Sequence, residues 1–513
     1  MSEATLTSLA RRLVVGLAGC WPTAREEAWL GRWRPGGVIL FSRNVTGAEQ
    51  LATLCSHLHR LVPGLEIVAD HEGGPVSQLA AAVGRPPAAW ALGVLDDSDL
   101  TRRVHVETGR RCRRLGVDRL LAPCADVLTE IHNPVIGSRA FGSDEDLVAR
   151  QVAGAVQGLT EAGMDTCLKH WPGHGGSRSD SHLTVSSVGN GAVAGPFLKG
   201  LAAGSAAVMV GHLRPRSTEG SGLPATMDAD LLQRDRKILM AAMGLALTFY
   251  ADDVTMGALR SAMVSLGCTD PGNSHSGMME PGDLSLSWLL SLAEAGCDRL
   301  LIRGIPWRAF EGAKSDLVPG FGSDTVPEWR PPVDDAGKDL SAEAEAYGEV
   351  HGEAYQEARR RLRVASGLDA FASNESDLVW LDFTAGDRWE VAAAGPESGQ
   401  CGNLGTRLRE DFGNVRHLDG RVVKDLEGIW GCELGKENMT FPRIDRLLIT
   451  SHRPLIPDYG YRPELPDLVC RCLTEQGVCL VMGHPSLAQD VGSWLPDRWS
   501  ISALFDITSE DYG

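Results

Sequence analysis

Short apolar runs alternate with longer amphipathic stretches along the first 300 or so residues. The apolar runs lie at residues 38–41, 65–69, 120–122, 166–168, 206–210, 245–250 and 300–302. Helical periodicity occupies residues 48–61, 100–115, 145–162 and 228–243. Strands that alternate with helices predict parallel βαβ units, and roughly eight of them indicate a (β/α)8 barrel. A doubly wound open sheet is the alternative, but no convincing glycine fingerprint follows the first strand.

Polar residues follow most of these apolar runs directly. They are Asp70 and Glu72, Asp126, Lys169 and His170, His212, and Asp252 and Asp253. A barrel gathers the carboxyl ends of its strands at one mouth, so residues distant in sequence become neighbours there. The pattern therefore predicts one polar site built from several strands.

The rest of the chain predicts a second, smaller domain. Residues 304–337 are typical of a loop or linker, and a charged helical stretch follows at 339–365. Strand-like runs return at 378–381, 446–450 and 478–482, which indicates a three-layer α/β sandwich. We expect a catalytic barrel over 1–335, a linker and connecting helix over 336–370, and the sandwich over 371–513. His452 and His484 follow two of these strands, and a structural or surface role is favoured for both.

Composition excludes several classes of function. The chain has 513 residues and a formal net charge of −18, which disfavours nucleic acid or an anionic membrane as a partner. Its 12 cysteines form no CxxC pair, so reduced core thiols are expected rather than disulfides or zinc ligands. No secretion signal or membrane-length apolar run is apparent, and we expect a cytoplasmic protein. The oligomeric state is not predicted.

The densest group of chemically active residues is the segment KHWPGHG at 169–175, followed by DSH at 180–182. Asp180 lies two residues from His182, and a carboxylate beside an imidazole fixes its tautomer and suits it to proton transfer. Histidines in this segment fit no compact zinc signature, and neighbouring Lys169 disfavours a cation. No metal and no cofactor are therefore predicted. Asp252 could act as a nucleophile, although Asp-Asp after a strand is also a helix-capping pattern.

Four further motifs occur along the chain: GGVILF at 36–41, DHEGG at 70–74, SRAFG at 138–142 and DDVTMG at 252–257. Together the motifs resemble the catalytic barrel of glycoside hydrolase family 3. The resemblance is strongest to its bacterial β-N-acetylglucosaminidase branch, which hydrolyses N-acetylglucosamine linkages in cell-wall fragments. The two-domain layout also resembles that of some family members.

The resemblance implies a retaining exo-β-N-acetylglucosaminidase with a terminal β-linked aminosugar as substrate. By motif, Asp252 corresponds to the nucleophile, and His182 to the acid/base, polarised by Asp180. The family residues that bind the sugar in the −1 subsite correspond by motif to Asp70, Arg139, Lys169 and His170. We add His212, at a strand end, and Gln78 as predicted substrate-binding residues.

The chain departs from the family pattern beside the first of these motifs. Pro75 and Gln78 stand where arginines are usual, and His71 replaces a glutamine. Glutamine can donate hydrogen bonds but carries no charge, so the substrate is expected to differ or to bind differently.

Alternative functions stay open at this point. A phosphorylase is one, because a histidine acid/base leaves the site less negative and lets phosphate enter. A specialised aminosugar β-glycosidase is another, and it would explain Pro75 and Gln78. A β-glucosidase is disfavoured by the intact DSH segment. The alternative from another class is a non-catalytic sugar-binding barrel.

Overall fold

The computed structural model describes residues 3–177, 186–188, 193–215, 223–244, 246–265, 279–311, 353–365, 378–382, 415–419, 444–451, 473–492, 495 and 499–504. Every structural statement below concerns these residues.

A parallel sheet that closes on itself forms the first half of the protein. Its strands are Leu13–Gly16, Gly37–Leu40, Glu66–Ala69, Arg119–Leu120, Asp165–Thr166 with Leu168–Trp171, Ala207–Val210, Thr248–Ala251 and Arg299–Ile302. The first and last members of the sheet order are Asp165–Thr166 and Leu168–Trp171, two halves of one continuous segment. The sheet is therefore an eight-position barrel, as the sequence predicts.

Helices follow the strands and cover the outside of the barrel. They are Glu3–Ala10, Ala24–Trp33, Ala48–Leu61, Ala80–Val83, Ala89–Leu95, Ser98–Arg114, Glu145–Glu161, Ala194–Ala202, Ala229–Met243, Gly257–Ser265, Leu286–Ala295 and Trp307–Glu311. Several begin at side-chain caps that satisfy otherwise unpaired backbone N–H groups. Thr23 and Glu26 form a capping box, and Asp97, Asp144 and Asp228 cap three further helices.

Alternation along the strands separates two apolar cores. Val14, Ile39, Val68, Met209 and Leu301 point into the barrel and pack together. Their strand neighbours, such as Leu13 and Val15, join the larger core between the sheet and the helices. The register brings inward residues face to face, as with Val14 beside Leu301 and Ile39 beside Val68. This filled interior leaves chemistry to the barrel mouth.

A second parallel sheet follows in the C-terminal part. Its strand order is Val415–Asp419, Leu378–Asp382, Ile444–Ser451, Leu473–Gly483 and Trp499–Leu504. Helix Glu353–Ala365 precedes it and packs on the barrel, where the buried Tyr355 hydroxyl contacts Thr108 at 2.5 Å. Helix Leu487–Gly492 follows the fourth strand in sequence.

Most predicted elements are found close to their predicted bounds. Helix Ala48–Leu61 has the bounds predicted, and helices Ser98–Arg114, Glu145–Glu161 and Ala229–Met243 differ only by a residue or two. The prediction omitted the strands Leu13–Gly16, Val415–Asp419 and Trp499–Leu504. Within the predicted linker, the described residues include helix Trp307–Glu311. Among the described residues, no helix is both long and apolar enough to cross a bilayer.

Candidate active site

Charged residues meet at the carboxyl ends of neighbouring barrel strands. Asp70 directly follows strand Glu66–Ala69, and Lys169 and His170 lie within strand Leu168–Trp171. Arg139 ends the one-turn helix Gly137–Arg139, in the connection that follows strand Arg119–Leu120. The barrel thus assembles residues that are up to a hundred positions apart, as its topology predicts.

A buried network of ion pairs forms the centre of the site. The Lys169 ammonium contacts the Asp70 carboxylate and lies 2.5 Å from Glu72 Oε1. Arg139 binds Glu72 through two parallel hydrogen bonds, from Nε and Nη2, of 2.9 Å each. The side chains of Arg139, Glu72 and Lys169 are 2–3% exposed, whereas that of Asp70 is 21% exposed. Asp70 is therefore the member that faces the open mouth.

Mutual attraction keeps Glu72, Arg139 and Lys169 charged. Burial alone would raise the pKa of Glu72, but Arg139 and Lys169 outweigh it and lower the pKa from 4.5 to about 2. Burial would lower the pKa of Lys169, but Asp70 and Glu72 raise it above its ordinary value. The stability that Glu72 contributes is therefore fully present above pH 4.5 and is lost as the pH falls toward 2.

His170 is held in one neutral tautomer. Its Nδ1–H donates to Asp126 Oδ2 at 2.7 Å, so Nε2 accepts from Arg139 Nη2 at 3.2 Å. Burial, with Arg139 next, lowers the pKa of His170 well below its ordinary value. Asp126 also accepts the backbone N–H of His170 at 3.2 Å and that of His174 at 2.6 Å. Asp126 therefore fixes the segment that carries Lys169 and His170.

Asp252 begins the loop after strand Thr248–Ala251, two strand positions from Lys169 in the sheet order. Its Oδ1 accepts the backbone N–H of Asp253 at 2.8 Å, and its charge acts on His170. Asp253 points elsewhere, since its Oδ1 accepts from the N–H and hydroxyl of Thr255 at 3.0 and 2.7 Å. The Asp253 carboxylate is thus held by Thr255 of its own loop, whereas the charge of Asp252 acts on His170.

His212 supports the same loop from the adjacent strand end. Its Nε2–H donates to the backbone carbonyl of Asp253 at 2.9 Å, and Nδ1 lies 2.9 Å from the Thr226 hydroxyl. The hydrogen bond to Asp253 places the imidazole ring next to the Asp252–Asp253 turn. A contact between His212 and substrate stays a prediction.

Of the three residues that depart from the family pattern, Gln78 and His71 are buried and Pro75 is half-buried. Gln78 Oε1 accepts the backbone N–H of Ser42 at 2.8 Å, so part of its amide is bound to the protein. Substrate binding by Gln78 stays a prediction. His71 lies between Asp70 and Glu72, and its Nδ1 accepts from the Leu79 N–H at 3.4 Å. Strand alternation turns the His71 side chain away from the two acids that bind Lys169.

One cluster of the described residues has the composition of a metal site. The ligand atoms of Cys124, Asp126 and His170 lie within 4.8 Å of one another. The Cys124 thiol and the His170 Nδ1–H both donate to Asp126 Oδ2, at 3.3 and 2.7 Å. Arg139 also contacts His170, and its charge opposes a cation. The possible metal-ligand atoms of Cys124, Asp126 and His170 thus hydrogen-bond to one another.

Asp180 and His182, the predicted acid/base pair, lie outside the described residues, and no geometry is given for them. Three supporting residues had no individual role in the prediction. Glu72 and Asp126 were placed at the predicted barrel mouth by their positions after strands, but no function was assigned to them. Asn133, whose side-chain amide donates to the His174 carbonyl at 2.8 Å, carried no sequence signal.

A closed parallel barrel with acids and bases at the carboxyl ends of its strands defines a barrel enzyme. Residues 12–270 match the glycosyl hydrolase family 3 N terminal domain. The chain belongs to glycosyl hydrolase family 3 and is a glycoside hydrolase.

Relatives agree with this assignment, and a solved structure shares the fold. The chain is 31% identical over 269 residues to a beta-hexosaminidase of Xylella fastidiosa (strain M23), covering 50% of this chain and 78% of the relative. It is 33% identical over 288 residues to a beta-hexosaminidase of Neisseria meningitidis serogroup B, covering 53% and 72%. The fold resembles a family 3 beta-N-acetylglucosaminidase from Paenibacillus sp. FPU-7, with a TM-score of 0.70, 20% identity, and 100% of this chain and 95% of that chain covered.

We predict that Arg139→Lys lowers the free energy of unfolding by about 2 kcal/mol or more, because lysine cannot replace two buried charged hydrogen bonds. Arg150→Lys is the matched control. Arg150 also reaches both oxygens of a carboxylate, Asp96, at 3.2 Å, but its side chain is 53% exposed. The control should cost no more than about 0.5 kcal/mol. Thermal and urea unfolding measure both, and equal losses would contradict the role of the buried pair.

Proposed function

We propose that the protein is a retaining exo-β-N-acetylglucosaminidase that removes terminal β-linked N-acetylhexosamine. Asp252 is the nucleophile, and His182, polarised by Asp180, is the acid/base. Asp70, Lys169, Arg139 and His170 form the subsite that binds the terminal sugar.

The observation that carries this proposal is the position of Asp252 beside a buried network in which each acid already has its own partners. Asp70 and Glu72 are matched by Lys169 and Arg139, and His170 is neutral. Asp252 then supplies a negative charge at the mouth. An oxocarbenium-like transition state is stabilised by such a charge, since positive charge develops on the sugar.

The first half-reaction follows from these roles. An Asp252 oxygen forms a bond to the anomeric carbon as the bond from that carbon to the leaving oxygen breaks. His182 gives its proton to the leaving oxygen. In the second half-reaction, water bonds to the anomeric carbon, its proton passes to His182, and the Asp252 carboxylate leaves. Two inversions give net retention.

The more accessible members of the ion-pair network bind the sugar. The Asp70 carboxylate, 21% exposed and fixed by Lys169, can accept hydrogen bonds from sugar hydroxyls without losing its ion pair. Arg139 and His170 are buried behind it and hold each other in place. Preorganised acceptors of this kind orient a substrate at little entropic cost.

The histidine acid/base is supported by the sequence alone. An imidazole beside Asp252 avoids the like-charge repulsion that a second carboxylate would bring. The relatives from Xylella fastidiosa and Neisseria meningitidis carry the name beta-hexosaminidase, which favours an aminosugar over glucose.

We predict that Asp252→Ala lowers kcat roughly a thousandfold or more, because no other group can form the covalent intermediate. Azide should restore part of the turnover and give an α-glycosyl azide, since it attacks from the face that Asp252 occupied. Asp165→Asn is the control. Asp165 lies at the amino end of a strand of the same barrel and is 68% exposed. It should stay within about twofold of wild type.

Turnover of an aryl N-acetyl-β-glucosaminide, with product analysis by NMR, measures these variants. Substantial residual activity in Asp252→Ala, or a β-glycosyl azide product, would exclude Asp252 as the nucleophile.

We predict that His182→Ala slows substrates with poor leaving groups far more than activated aryl substrates, because the latter depart without full protonation. A series of aryl glycosides with leaving groups of graded pKa measures this as a steeper dependence of kcat/KM on that pKa. A uniform loss across the series would contradict the acid role of His182.

A further inference from the structure

The C-terminal domain reaches the barrel through His484, which follows strand Leu473–Gly483. The residue is 2% exposed. Its Nε2 lies 2.9 Å from the backbone oxygen of Asn133, and since a carbonyl only accepts, Nε2–H donates across the domain boundary. Nδ1 faces Ser486, with the hydroxyl at 3.0 Å and the backbone nitrogen at 3.2 Å. His484 is thus fixed by its own domain and binds the other one.

The same imidazole packs on the turn that carries Arg139. A Cβ atom added at Gly137 would lie 3.0 Å from Cδ2 and Nε2 of His484. Gly137 has a φ of 44° and begins the one-turn helix Gly137–Arg139. Glycine permits both this backbone conformation and the close approach of the ring.

Asn133 joins that turn to the segment that carries Lys169 and His170. Its side-chain oxygen accepts the N–H groups of Val135 and Ile136 at 3.0 and 2.9 Å. Its side-chain nitrogen donates to the carbonyl of His174 at 2.8 Å. The side chain is fully buried, so each of these groups depends on its partner.

We propose that His484 is a positioning residue for the sugar subsite, which rests on the proposed function. By holding the Asn133 carbonyl and covering Gly137, it fixes the turn from which Arg139 binds Glu72 and His170. The C-terminal domain thereby sets the affinity of the barrel for the terminal sugar without contacting that sugar.

A second contact between the same two domains supplies a matched control. His132 Nε2 lies 2.9 Å from Asp490 Oδ1, and the Ser486 hydroxyl donates to the other oxygen of Asp490 at 2.7 Å. The side chain of His132 is 31% exposed, and its ring nitrogens contact Glu130 and Asp490, which lie outside the turn Gly137–Arg139. Removing it weakens domain docking but leaves the His484–Asn133 hydrogen bond intact.

The test compares full-length His484→Ala, His484→Gln and His132→Ala. Calorimetry measures N-acetylglucosamine binding, and an aryl N-acetyl-β-glucosaminide gives kcat and KM. His484→Ala should weaken sugar binding about tenfold and raise KM more than it lowers kcat. His484→Gln should recover most of the loss, because its amide donates from a similar position to Nε2. His132→Ala should stay within about twofold of wild type.

A double-mutant cycle with Arg139→Lys tests the route of the effect. If His484 acts through Arg139, the two losses in sugar binding combine to less than their sum. Should His484→Ala fail to fold, His484→Asn replaces it, since its shorter amide cannot reach Asn133.

Equal losses in His484→Ala and His132→Ala, unchanged sugar binding in His484→Ala, or additive losses in the cycle would each overturn the positioning role alone. A wild-type protein that binds no N-acetylglucosamine would instead overturn the proposed function.

Discussion

The buried pairing of Glu72 with Arg139 and Lys169 is the constraint on which the rest of the site depends. Two cations and a carboxylate at 2–3% exposure are tolerable only together, because an unpaired buried charge costs several kcal/mol. The pairing in turn holds the Asp70 carboxylate toward the mouth and leaves His170 neutral. In the proposed mechanism, Asp252 is the carboxylate beside this network that acts on the anomeric carbon.

Much of the barrel could be predicted because its signals are local. Apolar runs of strand length and amphipathic helices repeat in order, and a helix such as Ala48–Leu61 is defined by its own periodicity. Leu13–Gly16 escaped prediction because three apolar residues and a glycine after a helix look like the end of that helix. The candidate site residues were predicted from motifs that are equally local, whereas the contact between Asn133 and His484 joins residues 351 positions apart. No local pattern encodes such a contact.

The arrangement also gives the second domain a physical connection to catalysis. Barrel enzymes draw their chemistry from loops at the carboxyl ends of strands, and such loops need support to hold a geometry. Here the connection that carries Arg139 is supported on one side by Glu72 and His170 and on the other by His484. The departures Pro75 and Gln78 lie near the first of these supports in sequence, and Gln78 is bound to Ser42.

The proposed exo-β-N-acetylglucosaminidase activity is best tested by release of 4-nitrophenol from a panel of aryl β-glycosides, with and without inorganic phosphate. We expect preferential cleavage of the N-acetyl-β-glucosaminide, free N-acetylglucosamine as product, and a rate that phosphate does not change. A sugar 1-phosphate as product would make the enzyme a phosphorylase. Preference for the glucoside, or no cleavage of any glycoside in the panel, would contradict the assignment of the site to a terminal aminosugar.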